Sequence, residues 1–263
     1  MRELVLALRV GGAIAIFAAL TAQLINTVNF ESAGAGHTAF VAVNFFSFFT
    51  VESNLIAAAV LATAAAYSLG SLPEPAWLGP VRAAATTYMV TTGVVYNLLL
   101  RGVELPIGSV VAWSNEILHV AGPVIVALDW LVAPGRRRLP PRTLAGIVVF
   151  PIAWAAYTLV RGALTIDPRT DGHWYPYPFL NPGTSANGYA SVAFYILLIA
   201  AVICVVGSGV VRIGAAARER AAAEDLADAT EYPQEAHDAG APPTRAARPG
   251  QGEPRAGQRA TRE

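Results

Sequence analysis

The chain has 263 residues, of which 54% are hydrophobic and only 14% are charged, and its formal net charge is 0. Soluble domains have about 25% charged residues, so this composition excludes an ordinary soluble domain and indicates a membrane protein with several spans. A net charge of zero provides no basis for binding nucleic acid. The single cysteine, Cys204, excludes a disulfide framework and a thiolate metal site.

Six apolar runs are long enough to cross a bilayer, which takes about 20 helical residues. They cover residues 4–24, 40–67, 82–100, 109–133, 143–164 and 189–211. The first run exceeds the roughly 7–15 residues of a signal-peptide core, so we expect a retained helix. Prolines exclude a continuous helix across residues 68–81, and Pro151 is expected to kink the fifth span. We predict an all-α bundle of six transmembrane helices within residues 1–213.

The composition changes at residue 214 to Ala, Arg, Glu, Asp and Pro. Residues 215–229 are predicted to continue as a helix into water. The remainder contains five prolines and few apolar residues, which is typical of a disordered segment. Residues 214–263 are therefore predicted to be a largely disordered cytoplasmic tail.

The distribution of arginines predicts the orientation of the bundle. With six spans, one side receives Arg2, Arg9, Arg82, Arg136, Arg137, Arg138, Arg142, Arg212, Arg218 and Arg220. The other side receives only Arg101, Arg161 and Arg169. Because cytoplasmic loops carry the excess of positive charge, both termini are predicted to be cytoplasmic, in a protein of the plasma membrane.

Polar residues inside two of the spans are the candidates for function. The second span contains Thr50, Glu52, Ser53 and Asn54, and the fourth contains Trp113, Asn115, Glu116 and His119. An acidic residue at the centre of a membrane helix costs about 2.5–3.5 kcal/mol on insertion. Such clusters are therefore usually retained for function, and we expect the two spans to face each other around an intramembrane site.

Spacing predicts which of these side chains meet. Thr50 and His119 each lie about ten residues below the outer start of their span, which is roughly 15 Å in depth. Ser47, Thr50 and Asn54 share one helical face, and Asn115 and His119 share another.

A threonine hydroxyl becomes a nucleophile when a base takes its proton, and a neutral imidazole is the usual base. Thr50 and His119 therefore predict a minimal dyad for acyl transfer, which needs no cofactor. Ser53, Asn54 and Asn115 are candidate hydrogen-bond donors to an oxyanion.

Simpler interpretations remain open for the same residues. A membrane threonine commonly hydrogen-bonds to its own backbone, and a membrane histidine can serve a helix–helix contact alone. Glu116 can pair with Arg101, and Asp129 can be anchored at the inner interface beside Trp130. Glu52 points roughly opposite to Thr50, towards another neighbour or a water-filled cavity.

A zinc site would need about three protein ligands around an open position. His37, His119 and His173 are predicted to lie on the same side of the membrane. Because His119 lies too deep to meet two loop histidines without a re-entrant loop, the sequence disfavours zinc and predicts no metal.

Three segments resemble the androgen-induced protein family: Phe-Phe-Thr-Val-Glu-Ser-Asn at 48–54, Asn115-x-x-x-His119-x-x-x-Pro123, and Tyr177-Pro178-Phe179-Leu180. The resemblance covers residues 4–211 and is closest to bacterial six-helix relatives. Animal members of that family are intramembrane threonine hydrolases that cleave fatty acid esters of hydroxy fatty acids. The resemblance implies that Thr50 is the nucleophile and His119 its base. The polar residues Glu52 and Ser53 distinguish this chain from the animal proteins.

We therefore expect a hydrolase that acts on a membrane lipid ester. The main alternative is a transporter or lipid-binding protein, in which Glu52, Glu116, Asp129 and His119 form a proton or solute path. A structural membrane protein, whose polar residues only hold helices together, is a third possibility. These alternatives make different predictions for Thr50, which only the hydrolase requires.

Overall fold

The computed structural model describes residues 2–31, 38–133, 139–168 and 170–231. Six of its helices are long and apolar enough to span a membrane, and the chain is a multi-pass membrane protein of the all-α class. This confirms the predicted fold class. Residues 136–138 and 169, which enter the orientation argument, and the predicted disordered segment from residue 232 onward lie outside the described residues.

The elements follow one another as short and long helices with a small hairpin near the end. The helices are α1 (Arg2–Glu31), α2 (Thr38–Phe46), α3 (Phe49–Leu69), α4 (Leu78–Val95), α5 (Ala112–Glu116), α6 (Gly122–Val132), α7 (Arg142–Leu164) and α8 (Tyr189–Glu231). A π-helical turn, Tyr96–Leu100, extends α4, and a second, Ile117–Ala121, joins α5 to α6. Between α7 and α8 lie the antiparallel strands β1 (Ile166–Asp167) and β2 (Gly172–His173), then 3-10 turns at Pro178–Leu180 and Pro182–Thr184.

One helix is longer than predicted, and the predicted extension of another is present. Helix α1 continues through Glu31 rather than ending at Leu24, so the first loop is shorter than expected. Helix α8 extends from the sixth span to Glu231, so the helix predicted over residues 215–229 is present, and the compact bundle ends at Ala221 within it. The sequence pattern missed the first extension because the polar residues after Leu24 resemble a loop.

The prediction that the second span is one continuous helix is wrong. Helix α2 ends at Phe46 and α3 begins at Phe49, with Ser47 and Phe48 between them outside any helix. The carbonyl of Ser47 accepts a hydrogen bond from Trp154 Nε1 at 3.1 Å, and its hydroxyl lies 2.9 Å from Tyr157 Oη. Two side chains of α7 therefore satisfy polar groups at the break, as backbone interruptions in a membrane require.

A buried ionic cluster ties together one end of the bundle. Asp129 lies 2.7 Å from Arg9 and 2.8 Å from Arg82, and Glu74 lies 3.0 Å from each of the same two arginines. Arg9, Arg82 and Asp129 are all at most 3% exposed. Two guanidinium groups therefore compensate the charge of Asp129 inside the bundle, and its anchoring at the inner interface stays a prediction.

Pro151 lies inside α7 and has no N–H to donate to the carbonyl of Ile147, one turn earlier. The hydroxyl of Tyr88 on α4 donates to that carbonyl at 2.7 Å. The proline therefore does not leave a buried acceptor unsatisfied. The side chain that replaces the lost bond also fixes α7 against α4.

The segment between α7 and α8 packs back onto the bundle. Gly162 of α7 leaves room for the ring of Tyr175, which a Cβ at that position would meet at 2.1 Å. The 3-10 turn that follows buries Leu180 in a cluster with Tyr177 and Val192. Phe48, at the break in the second span, packs edge-to-face on Tyr177 with centroids 5.5 Å apart.

Candidate active site

Thr50 and His119 meet at the centre of the candidate site. Thr50 Oγ1 lies 3.3 Å from His119 Nε2, which is a long hydrogen bond. Thr50 is 8% exposed and belongs to the first turn of α3, while His119 belongs to the π-helical turn between α5 and α6. The structure therefore brings together the two residues that sequence spacing paired.

The second ring nitrogen of His119 determines what the first can do. Nδ1 lies 3.0 Å from the backbone carbonyl oxygen of Asn115. A carbonyl only accepts hydrogen bonds, so Nδ1 must carry the proton in this contact. In the neutral ring, Nε2 is then an acceptor that faces the Thr50 hydroxyl, which is the arrangement of a general base.

Both π-helical turns contribute to the position of His119. The His119 ring stacks on Tyr96, with centroids 3.9 Å apart and planes 24° apart. Tyr96 begins one π-helical turn and His119 lies in the other. Gly93 permits this approach of the backbones, because a Cβ there would lie 3.3 Å from the carbonyl oxygen of His119 and 3.2 Å from Pro123. π-Helical turns are frequent at functional sites.

Tyr177 is a site residue whose contact the sequence analysis did not predict. Its hydroxyl lies 3.2 Å from the backbone nitrogen of Thr50 and 3.2 Å from Thr50 Oγ1. Burial raises the pKa of Tyr177, and the hydrogen bonds to Thr50 offset part of this increase. The family resemblance grouped the segment of Tyr177 with that of Thr50, but no pattern in the sequence predicted a contact between the two residues.

These contacts form one hydrogen-bond chain with a consistent direction. Thr50 N–H donates to Tyr177 Oη, and Tyr177 Oη–H can donate to Thr50 Oγ1. Thr50 Oγ1–H then donates to His119 Nε2, and His119 Nδ1–H donates to the Asn115 carbonyl. Each donor has one acceptor, so the threonine proton points at the imidazole.

Two other candidate polar residues, Ser53 and Asn54, hold the site together. Asn54 Nδ2 donates to the carbonyls of Thr50 and Leu118, at 2.8 and 3.1 Å. Ser53 Oγ donates to the Thr50 carbonyl at 3.1 Å and lies 3.1 Å from Thr92 Oγ1. In this arrangement both hydrogens of the Asn54 amide are used, and they link the backbone of α3 to the turn that carries His119.

The side chains of Asn115, Glu116 and Glu52 lie outside the chain of hydrogen bonds around Thr50. The amide of Asn115 donates to Tyr96 Oη. Glu116 pairs with Arg101 at 3.0 Å on an exposed surface, one of the contacts that the sequence left open. Glu52 is half-buried, and its Oε2 has no hydrogen-bond partner among the described residues.

A cavity of about 340 Å³ begins at Thr50 and Tyr177 and continues between α4, α7 and α8. Its wall consists mainly of aliphatic and aromatic side chains, among them Val95, Trp154 and Ile203. Ligand sites typically have volumes of about 300–1,000 Å³ with few polar groups. The cavity therefore has the size and the chemistry to hold an acyl chain with its carboxyl end at Thr50.

Exposed residues on α7 and α8 show where the cavity opens. Ile152 of α7 is 65% exposed, and Ala200 and Cys204 of α8 are also exposed. All three line the cavity. Because these helices are membrane spans, the opening between them faces the lipid acyl chains.

His119 borders a second, shallower groove, which does not include Thr50. This groove has a volume of about 470 Å³ and lies between α4 and α6, with Gly93, Asn97 and Pro123 in its wall. The dyad thus separates two apolar spaces, with the hydroxyl on one and the imidazole on the other.

Within residues 2–31, 38–133, 139–168 and 170–231, no three His, Cys, Asp or Glu side chains are grouped so that they could hold a metal ion. His37, one of the three histidines considered for zinc, lies outside these ranges. His119 is committed to Thr50 and Asn115 through its two nitrogens.

Comparison with family models, curated proteins and solved structures finds no match to the chain. The three segments on which the family resemblance rests are nevertheless brought together in space. Thr50 belongs to the first, His119 to the second and Tyr177 to the third, and hydrogen bonds connect all three residues. Segments separated by up to 127 residues thus converge on one hydroxyl group.

Proposed function

We propose that this protein is an intramembrane threonine hydrolase of lipid (fatty-acyl) esters. The observation that supports it most directly is the contact of 3.3 Å between Thr50 Oγ1 and the acceptor nitrogen of His119. A nucleophile, its base and a group that orients the base are the components of a covalent acyl-transfer site. Here the orienting group is the Asn115 carbonyl.

The geometry fits a two-step reaction. Thr50 Oγ1 attacks the acyl carbonyl carbon while its proton moves to His119 Nε2, and the ester C–O bond then breaks. His119 returns the proton to the departing alcohol, and an acyl-threonine remains. Water, deprotonated by the same imidazole, attacks this acyl group and releases the acid. The protein needs no cofactor for any of these steps.

The cavity supports a lipid substrate in particular. Its opening between α7 and α8 faces the bilayer, so an acyl chain can enter laterally, without crossing water. An apolar chain in the cavity places its ester group beside Thr50 and Tyr177, the polar end of the wall. We further propose a plasma-membrane location with both termini cytoplasmic, and membership of the androgen-induced protein family.

The transporter alternative has less support. Glu116 is exposed and paired with Arg101, and Asp129 is held by Arg9 and Arg82. Both carboxylates are therefore already paired with arginines. Of the three acidic residues proposed for a proton or solute path, only Glu52 has no arginine partner among the described residues.

Labelling with a fluorophosphonate probe tests the proposal on the purified full-length protein in detergent. The wild type should be labelled, and Thr50→Ala and His119→Ala should not. Thr63→Ala is a matched control on the same helix, because Thr63 Oγ1 bonds only its own backbone, at the carbonyl of Ala59. Labelling that survives in Thr50→Ala overturns the proposal. Turnover is then measured with p-nitrophenyl decanoate.

A further inference from the structure

We propose that Tyr177 is a further catalytic residue, which forms an oxyanion hole together with the backbone amide of Thr50. This inference rests on the proposed hydrolase function and deepens it. It assigns the transition-state stabilisation to the segment between α7 and α8. Ser53 and Asn54, which the sequence suggested as oxyanion donors, instead use their hydrogen bonds to hold α3 in place.

The position of the Tyr177 hydroxyl is the first argument. It lies 3.2 Å from both the nitrogen and Oγ1 of Thr50, so it occupies the space between the amide and the nucleophile. A carbonyl attacked by Oγ1 brings its oxygen to that side. In serine proteases the amide of the nucleophile itself is one of two oxyanion donors. Thr50 N–H and Tyr177 Oη–H are the equivalent pair here.

The break between α2 and α3 makes the amide available. Thr50 is the second residue of α3, and the first backbone bond across the start of this helix is from Glu52 N–H to the Phe48 carbonyl. The N–H of Thr50 therefore has no acceptor within the helix. Phe48, at the N-cap position, supplies no side-chain cap. The N-terminal end of a helix also carries a partial positive charge of about half an elementary charge.

The charges balance in the following step. As Oγ1 bonds to the carbonyl carbon, the π electron pair moves to the carbonyl oxygen and the threonine proton moves to His119 Nε2. The oxyanion accepts from Thr50 N–H, in place of Tyr177 Oη, and from Tyr177 Oη–H, which turns away from Oγ1. The pair returns when the bond to the alcohol oxygen breaks, and His119 protonates that oxygen.

The environment of Tyr177 suits a donor. Its ring is buried and stacks on Phe179, with centroids 5.1 Å apart and planes 4° apart. Burial raises its pKa, so the hydroxyl keeps its proton at neutral pH. A preorganised donor in a site that excludes water stabilises a developing charge more strongly than one in water.

Tyr177→Phe removes the hydroxyl and keeps the ring, so it is the direct test. With p-nitrophenyl decanoate, we expect kcat to fall by about 10²–10³-fold, with KM changed much less. The rate is expressed per site titrated with the fluorophosphonate, so that unfolded protein does not count. Tyr175→Phe is the matched control in the same segment, and it should retain the wild-type kcat.

A second measurement distinguishes oxyanion stabilisation from a role in positioning Thr50. A decyl trifluoromethyl ketone forms a tetrahedral adduct with an oxyanion, and decanol cannot. Tyr177→Phe should weaken inhibition by the ketone by about the same factor as it lowers kcat. Inhibition by decanol should remain unchanged. Equal effects on the two inhibitors, or a kcat within threefold of wild type, overturn the inference. Turnover that is lost in Thr50→Ala but kept in Tyr177→Phe overturns this inference alone, whereas turnover kept in Thr50→Ala overturns the proposed function as well.

If Tyr177→Phe does not fold, the test instead uses a variant with 3,5-difluorotyrosine at position 177. This residue retains the shape of tyrosine and has a more acidic hydroxyl. The alkaline limb of the kcat–pH profile should move to lower pH. An unmoved limb overturns the inference.

Discussion

Tyr96 and His119 stack face to face, with ring centroids 3.9 Å apart and planes 24° apart. Each ring is carried by a π-helical turn at the end or in the middle of a membrane span. Asn115 donates to the hydroxyl of Tyr96 and accepts, through its carbonyl, from the imidazole. The candidate base is therefore fixed both by a stacking contact and by a hydrogen bond before any substrate binds.

Replacing the Tyr96 ring should reduce the rate through the position of His119. Tyr96→Leu removes the stack, and a displacement of about 1 Å can cost roughly 10²-fold in rate. Tyr96→Phe keeps the stack, so it should lose less than about tenfold. Both rates are measured as kcat for p-nitrophenyl decanoate per titrated site. Equal losses in the two variants would contradict a positioning role for the ring.

The six spans could be predicted from sequence because length and apolarity alone determine them. The break between Phe46 and Phe49 could not, because no proline or glycine marks it in the sequence and the groups that satisfy it, Trp154 and Tyr157, lie more than 100 positions away. Thr50 and His119 were paired by equal depth, an argument that assumed a continuous helix. The contact between Tyr177 and Thr50 could not be predicted for the same reason, because the two residues are 127 positions apart in the sequence.

Breaking the ionic cluster should destabilise the bundle without changing the chemistry. Asp129→Asn leaves Arg9 and Arg82 without the carboxylate between them, and the loss of one partner of a buried ion pair costs about 3–5 kcal/mol. Unfolding in a mixed-micelle denaturant titration should show this loss. Labelling per folded molecule by the fluorophosphonate should remain at the wild-type level. Glu3→Gln, a substitution of an exposed acidic residue in the first turn of α1, is the control for the loss of a charge.

Filling the cavity between α4, α7 and α8 should change the preference for the length of the acyl chain. Ala155 of α7 lines the cavity, whereas the adjacent Ala156 is exposed on the same helix. Ala155→Phe should lower kcat/KM for p-nitrophenyl decanoate more than for the butyrate, because the shorter chain needs less of the cavity. Ala156→Phe should affect both esters equally. An unchanged ratio in Ala155→Phe would exclude this cavity as the acyl site.

The stability of the protein at alkaline pH should depend on Tyr177. Burial raises its pKa in the folded state above the ordinary value of about 10. Since the folded state then retains a proton that the unfolded state releases, Tyr177 lowers the free energy of unfolding as the pH rises from about 10 to the folded pKa, by up to about 1.4 kcal/mol per pH unit. Below pH 10 this contribution to stability is fully present. Tyr177→Phe has no such group, so its unfolding free energy should decline less over that interval than that of the wild type. Denaturant titrations at pH 8, 10 and 11 measure the difference, and parallel curves for the two proteins would show that Tyr177 titrates as a solvent-exposed tyrosine does.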